Sequence, residues 1–197
     1  MLPLRTLSLL AAFALALGAC KPKHQPPATL WPIPSWQLTN QDNQPFGSSN
    51  LVGRVYVANF IFTRCTATCP MLTSKMATLA TRLRAQGDRV RFVSFSVDPS
   101  HDTPARLREF GVRYHADFTR WTFVTGEHPT VLAAIDRGFR ISSGMPEQPQ
   151  AQFDPIALAH SNHFALVDGR GAMRGAYSVE TPEGIERLAL DAEALAQ

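Results

Sequence analysis

An apolar run from Val55 to Phe62 is followed after two residues by Cys65, then by Cys69 and at once by Pro70. A short run this rich in β-branched and aromatic residues reads as a strand, and apolar residues on both of its faces place it inside a sheet. Pro70 suits the first turn of a helix. Met71, Leu72, Met76, Leu79, Ala80 and Leu83 then recur at helical spacing until Gly87, so a helix is expected from Pro70 to about Gln86. The two cysteines therefore stand where a strand becomes a helix. If the helix reaches back over them, their i, i+4 spacing puts both sulfurs on one face, beside the positive end of the helix dipole. That setting favours thiolates, and with them metal binding or redox chemistry. Met71 and Met76 are soft donors as well, but a stripe at this spacing reads as core.

The rest of the chain supplies a sheet around that strand. Trp36 to Phe46 alternates and contains Asp42-Asn43, which reads as a small hairpin ahead of the first central strand. Val90 to Val97 is a second central strand. After it, Asp102 or Thr103 caps a short helix over 104–113, with Pro104 in its first turn. A strand over Arg120 to Val124, a helix from His128 to about Gly138 and a short strand from Phe139 to Ser142 follow. Residues 143–159 read as an irregular insertion. Order resumes in a strand that ends at Asp168-Gly169, a hairpin signal, and returns through Ala172 to Val179 before a terminal helix opened by Thr181-Pro182. Strands alternating with helices, plus a late hairpin, give an α/β fold: a central mixed sheet flanked by helices, with an added N-terminal hairpin. A cysteine pair at the end of the first central strand is where a thioredoxin-like fold carries its active site.

The N-terminus carries a separate signal. Arg5, an apolar segment through Leu17 and then Leu17-Gly18-Ala19-Cys20 form a secretory leader over residues 1–19, too short for a spanning helix. The last four residues resemble a bacterial lipoprotein cleavage box, which makes Cys20 the lipidated first residue. Residues 20–34, polar and proline-rich, read as a flexible tether that carries a solvated His24. Residues 35–197 form a single domain. Of three cysteines, lipidation of Cys20 leaves the pair Cys65 and Cys69. Outside the cytoplasm a partner must keep that pair reduced for it to act as a thiolate site. A purely structural disulfide is the alternative, but its ring is so small that it would stabilise little. A net charge of only +3 without a Lys/Arg block excludes an electrostatic nucleic-acid binder.

Three motifs, in order, resemble the Sco (SenC) family of copper-delivery proteins. Phe62-Thr63-Arg64-Cys65-Thr66-Ala67-Thr68-Cys69-Pro70 is similar to the family's F-T-x-C-x-x-x-C-P. Val93-Ser94-Phe95-Ser96-Val97-Asp98-Pro99 with Asp102-Thr103-Pro104 is similar to its V-S-x-D-P-x-x-D-T-P. His160-Ser161, eight residues before Asp168, is similar to its H-S segment. The resemblance implies a thioredoxin-like domain tethered to the outer face of an energy-transducing membrane. It implies a Cys₂His copper site of Cys65, Cys69 and His160. His163 is the competing imidazole, but it falls within the expected strand, whereas His160 lies in the preceding loop. Two thiolates and an imidazole suit Cu(I) and accept Cu(II), and zinc is compatible with the same set. His101 reads as a turn residue, and His115 and His128 carry no motif. Where family members commonly have Pro-Asp and then Val between the cysteines, this chain has Thr66-Ala67-Thr68, without a carboxylate.

The expected role is a copper chaperone, lipid-anchored in the bacterial cell envelope and facing the periplasm or the outside. It assists assembly of a respiratory oxidase copper centre, receiving copper from a donor and electrons from a thioredoxin-like reductant. The alternative is enzymatic: a thiol-disulfide reductase in which Cys65 and Cys69 cycle against cysteines of the oxidase or another exported partner.

Overall fold

The structure is a computed structural model that describes residues 24–140 and 162–197. The strands are β1 (Trp31–Pro32), β2 (Gln37–Asn40), β3 (Pro45–Gly47), β4 (Val55–Ile61), β5 (Val90–Ser96), β6 (Trp121–Thr125), β7 (His163–Val167) and β8 (Ala172–Ser178). The helices are α1 (Thr68–Arg82), α2 (Pro104–Arg113), α3 (His128–Phe139) and α4 (Pro182–Leu195). All eight strands form one sheet in the order β1-β8-β7-β4-β5-β6-β2-β3. β4, β5 and β6 run parallel, and the remaining pairings are antiparallel. The sheet is mixed and flanked by helices, as expected, and the β2–β3 hairpin extends it beyond β6.

Every residue of β4 is buried, because both faces of the sheet are covered. Val55, Val57 and Ile61 join Leu72, Met76 and Leu79 of α1, Leu107 and Phe110 of α2, and Leu188 of α4 in one core layer. Their neighbours Tyr56, Ala58 and Phe60 point the other way, into a layer with Trp36, Val131, Ile135 and Phe139. In that second layer Phe139 stacks edge-on against both Phe60 and Phe95. This packing corrects the strand expected over Phe139 to Ser142 at its first two residues, while Ile141 and Ser142 lie outside the described residues. Phe139 closes α3, and Arg140 turns the chain in a left-handed conformation with φ 47°. Met76 is fully buried, whereas Met71 is 36 % exposed on the outer face of α1 and is not core.

The tether expected over 20–34 is, from His24 onward, part of the fold. Leu30 N–H donates to Met173 O (2.9 Å) and Ile33 N–H to Gly171 O (2.9 Å) on either side of the β1–β8 pairing. Trp31 Nε1 donates to Gly138 O (2.9 Å), and Arg174 Nε holds Pro27 O (2.9 Å). His24, expected to be solvated, bonds through Nε2 to the buried Asp191 carboxylate. The opposite oxygen of Asp191 accepts from Tyr177 Oη (2.6 Å). An open edge at β8 attracts the preceding chain because its unpaired backbone groups offer hydrogen bonds that a free tether would leave to water.

Two turns follow β7: the β7–β8 turn lies at the start of β4, opposite the cysteines, where Gly53 N–H donates to Gly169 O (2.8 Å), and the second opens α4. Asp168 Oδ1 accepts from the N–H groups of Arg170 (2.9 Å) and Ala172 (3.0 Å), which shapes the β7–β8 turn, and Gly171 takes the positive φ of 76° that the turn requires. Thr181 Oγ1 accepts from Gly184 N–H (3.3 Å) and opens α4 ahead of Pro182.

Candidate metal centre

Strand β4 ends at Ile61, whose carbonyl still accepts from Val97 N–H (2.8 Å), so the chain ends of β4 and β5 remain side by side. The turn that follows carries Cys65, with its N–H donating to Phe62 O (3.2 Å). Helix α1 begins at Thr68 and does not reach back over Cys65, because Ala67 already stands at its N-cap. Cys69, in the first turn, is 0 % exposed and packs into the core beneath α1, while Cys65 is half-buried. The sulfurs are brought together by the helix start itself: Cys69 N–H donates to Cys65 Sγ at 3.3 Å. No disulfide joins them.

Their environments drive the two thiols apart. Partial burial opposes ionisation of Cys65, but the backbone N–H and side chain of Cys69 and the N–H groups of Ala67 and Thr68 outweigh it. Its pKa lies below the usual thiol value. Burial pushes the Cys69 thiol up to about 12. A hydrogen bond to the Phe62 backbone eases that rise, whereas the neighbouring Cys65 and Asp102 add to it. The pair is thus one accessible, readily ionised sulfur beside one buried, protonated sulfur.

A second loop, between β5 and α2, braces the turn. Asp102 is 0 % exposed and accepts from Thr63 N–H (3.1 Å), Thr63 Oγ1 (2.6 Å) and Ser96 Oγ (2.7 Å). Arg64 Nε donates to Asp98 Oδ2 (2.6 Å) across the same gap. Helix capping, expected of Asp102 or Thr103, falls to Thr103, whose Oγ1 accepts from Arg106 N–H (3.3 Å). Sequence reasoning missed Asp102 and Thr63 as parts of the site. Both lay inside recognised motifs, but capping propensity is a local signal and their contact spans 39 positions.

Of the expected ligands, the structure brings together Cys65 and Cys69. His160 and the lipidation candidate Cys20 lie outside the described residues. His163 is the first residue of β7, with its backbone in register with Ser178. It forms no three-donor group with the two cysteines, nor does any such group occur among the described residues. His101 sits in a turn, with its ring 3.2 Å from Arg106. The donor set in place, two adjacent sulfurs of which one ionises readily, fits a soft metal ion and does not fit magnesium or calcium. Among the described residues no helix is long and apolar enough to cross a membrane.

The chain matches the SCO1/SenC family model over residues 27–196. The structure of a SCO1/SenC family lipoprotein from Bacillus anthracis superposes with a TM-score of 0.70 at 34% identity, covering 85% of this chain and 96% of that one. BsSco, a member of the Sco family of cytochrome c oxidase assembly proteins, gives a TM-score of 0.70 at 28% identity over 88% and 97% of the two chains. Yeast Sco1 with copper bound shares the fold, with a TM-score of 0.66 at 20% identity over 85% and 96%. The extent of the family match, across both the cysteine turn and the β7–β8 hairpin, decides the matter: the chain belongs to the SCO1/SenC family.

Proposed function

We propose that this protein takes up copper as cargo through Cys65, Cys69 and His160 and delivers it to the copper centre of a respiratory oxidase. The observation that carries the reading is the apposed thiol pair, held by Cys69 N–H on Cys65 Sγ at the strand–helix junction. Soft sulfur donors select Cu(I), and an imidazole third ligand extends the site to Cu(II). Copper is bound in a yeast relative of the same fold, and BsSco belongs to a family of oxidase assembly proteins. The accessible Cys65 thiolate meets the cargo, and Cys69, which holds its proton in the free protein, releases it on loading. Uptake therefore strengthens as pH rises. Three protein ligands leave a position open for the acceptor. Lipidation of Cys20 would anchor the domain in the bacterial envelope, facing the periplasm or the outside, and a lipoprotein among its relatives supports this.

The test is Cu(I) titration of the reduced protein. One copper per chain is expected, lost in Cys65→Ala and Cys69→Ala and markedly weakened in His160→Ala. A reduced protein that takes up no copper removes the proposal. A second reading, thiol-disulfide exchange with an exported partner, is favoured by one observation, the asymmetry of the pair: an attacking Cys65 and a protected, resolving Cys69. Full function in His160→Ala alongside failure of either cysteine variant would select it.

A further inference from the structure

The cysteine turn has no regular secondary structure of its own between Ile61 and Thr68, so something else must fix where Cys65 stands relative to Cys69. In the described structure that support comes from across the sheet end. Thr63, two residues before Cys65, presents both its N–H and its Oγ1 to one carboxylate, Asp102, which is fully buried. Asp102 is held in turn from its own side. Ser96 Oγ, at the end of β5, donates to Asp102 Oδ2, and that same Ser96 oxygen accepts from Asp98 N–H (3.1 Å). The Asp102 N–H also donates to Asp98 O (2.9 Å). A buried carboxylate is retained only where such donors compensate its lost hydration, and here three of them converge from two separate segments. An exposed ion pair such as Arg64–Asp98, with Arg64 64% exposed, adds little to rigidity by comparison.

We infer that Asp102 and Thr63 together form the positioning device of the cysteine turn: a buried carboxylate that pins Thr63 and so presets Cys65 beside Cys69 for a ligand that needs both sulfurs. Neither residue supplies a donor to the ligand. Their effect is preorganisation, which saves the ordering cost that a loose turn would incur at the moment of binding. The affinity part of this inference rests on the copper reading above, and the ordering part does not.

The experiment compares reduced wild-type protein with Asp102→Asn, Thr63→Val, Thr63→Ser and the Asp102→Asn/Thr63→Val double variant. Two readouts are taken: Cu(I) affinity by competition with a chelator, and amide hydrogen exchange resolved by segment. Asp102→Asn is expected to weaken Cu(I) binding about tenfold and to speed exchange in residues 62–69 while the β4–β5–β6 sheet exchanges as in wild type. Thr63→Val is expected to act in the same direction and more weakly, since it keeps the backbone N–H contact, and Thr63→Ser to match wild type. The double variant should be no weaker than Asp102→Asn alone, because both changes break one contact. Exchange that rises uniformly through the domain would make Asp102 merely structural and overturn the inference. Unchanged local exchange in both Asp102→Asn and Thr63→Val would do the same. If wild-type protein takes up no copper, the copper reading fails, and the exchange pattern still decides whether Asp102 orders the turn. If Asp102→Asn does not fold, Thr63→Val against Thr63→Ser carries the decision.

Discussion

Alkylation of the folded, reduced protein at pH 7.5 should discriminate between its two cysteines, and the structure sets the size of the difference. Cys69 is pushed up to about 12, while Cys65 lies below the ordinary thiol value of 9.0, so their pKa values are at least about three units apart. Three units make the reactive thiolate about 1,000-fold scarcer at Cys69. The more basic sulfur is intrinsically the better nucleophile, and a Brønsted coefficient of about 0.4–0.5 returns roughly 16- to 32-fold of that. The net chemical preference for Cys65 is thus at least about 30-fold, before the complete burial of Cys69 is counted. Pulse labelling with iodoacetamide, followed by peptide mass spectrometry, should show modification at Cys65 alone until most of the protein has reacted, and at both sites after denaturation. Raising pH should speed Cys65 labelling toward a plateau, and Cys69 labelling only at far higher pH, because the Cys65 pKa is lowered and that of Cys69 is raised. Equal labelling of the two sites in the folded state, within threefold, would refute the environment assigned to Cys69.

Two further outcomes concern the fold that holds the site. Asp168, whose carboxylate is largely buried, has its pKa lowered: burial opposes this, but the N–H groups of Ala172 and Arg170 and the Arg174 guanidinium, with Nη1 at 2.8 Å, outweigh it. A lowered carboxylate contributes stability above its unfolded pKa and loses it as pH falls through the folded value. Asp168→Asn should therefore cost about 2–3 kcal/mol in urea unfolding at pH 7, with the gap to wild type narrowing below about pH 4. A gap that stays constant into acid would contradict this assignment. A chain beginning at residue 35, which lacks β1 and the contacts of Trp31 and His24, should be less stable than one beginning at residue 24 by about 2–4 kcal/mol, on the basis of a few net hydrogen bonds and a lost aromatic contact. Equal denaturation midpoints would show that residues 24–34 contribute nothing to the domain.

Much of this protein was legible in order along its chain. The β4 run, apolar on both faces, predicted a central strand; its burial from Val55 to Ile61 follows from the same alternation-free pattern. Thr103-Pro104, Thr181-Pro182 and Asp168-Gly169 marked their helix starts and turn to within a residue, since caps and turns are made by neighbours in sequence. Where reading failed, a distant partner had overruled the local preference. Proline-rich residues 24–34 lack the pattern of a strand, yet the exposed edge of β8 recruits Trp31 and Pro32. Phe139 carries strand propensity, but the aromatic layer of Phe60 and Phe95 holds it at the end of α3.

The same division runs through the site. Residue identity and spacing alone determined that Cys65 and Cys69 would meet where a strand gives way to a helix, because they are four residues apart, and that their donor chemistry is soft, because both donors are sulfur. Only the tertiary structure decided that the two thiols differ, with Cys69 sunk into the core beneath α1 and Cys65 half-buried among backbone N–H groups. It also decided that Asp102 serves the turn and not its own helix, since a carboxylate's partner depends on which loop the sheet brings beside it. Burial and hydrogen-bond geometry are properties of the packed chain, and no local pattern encodes them.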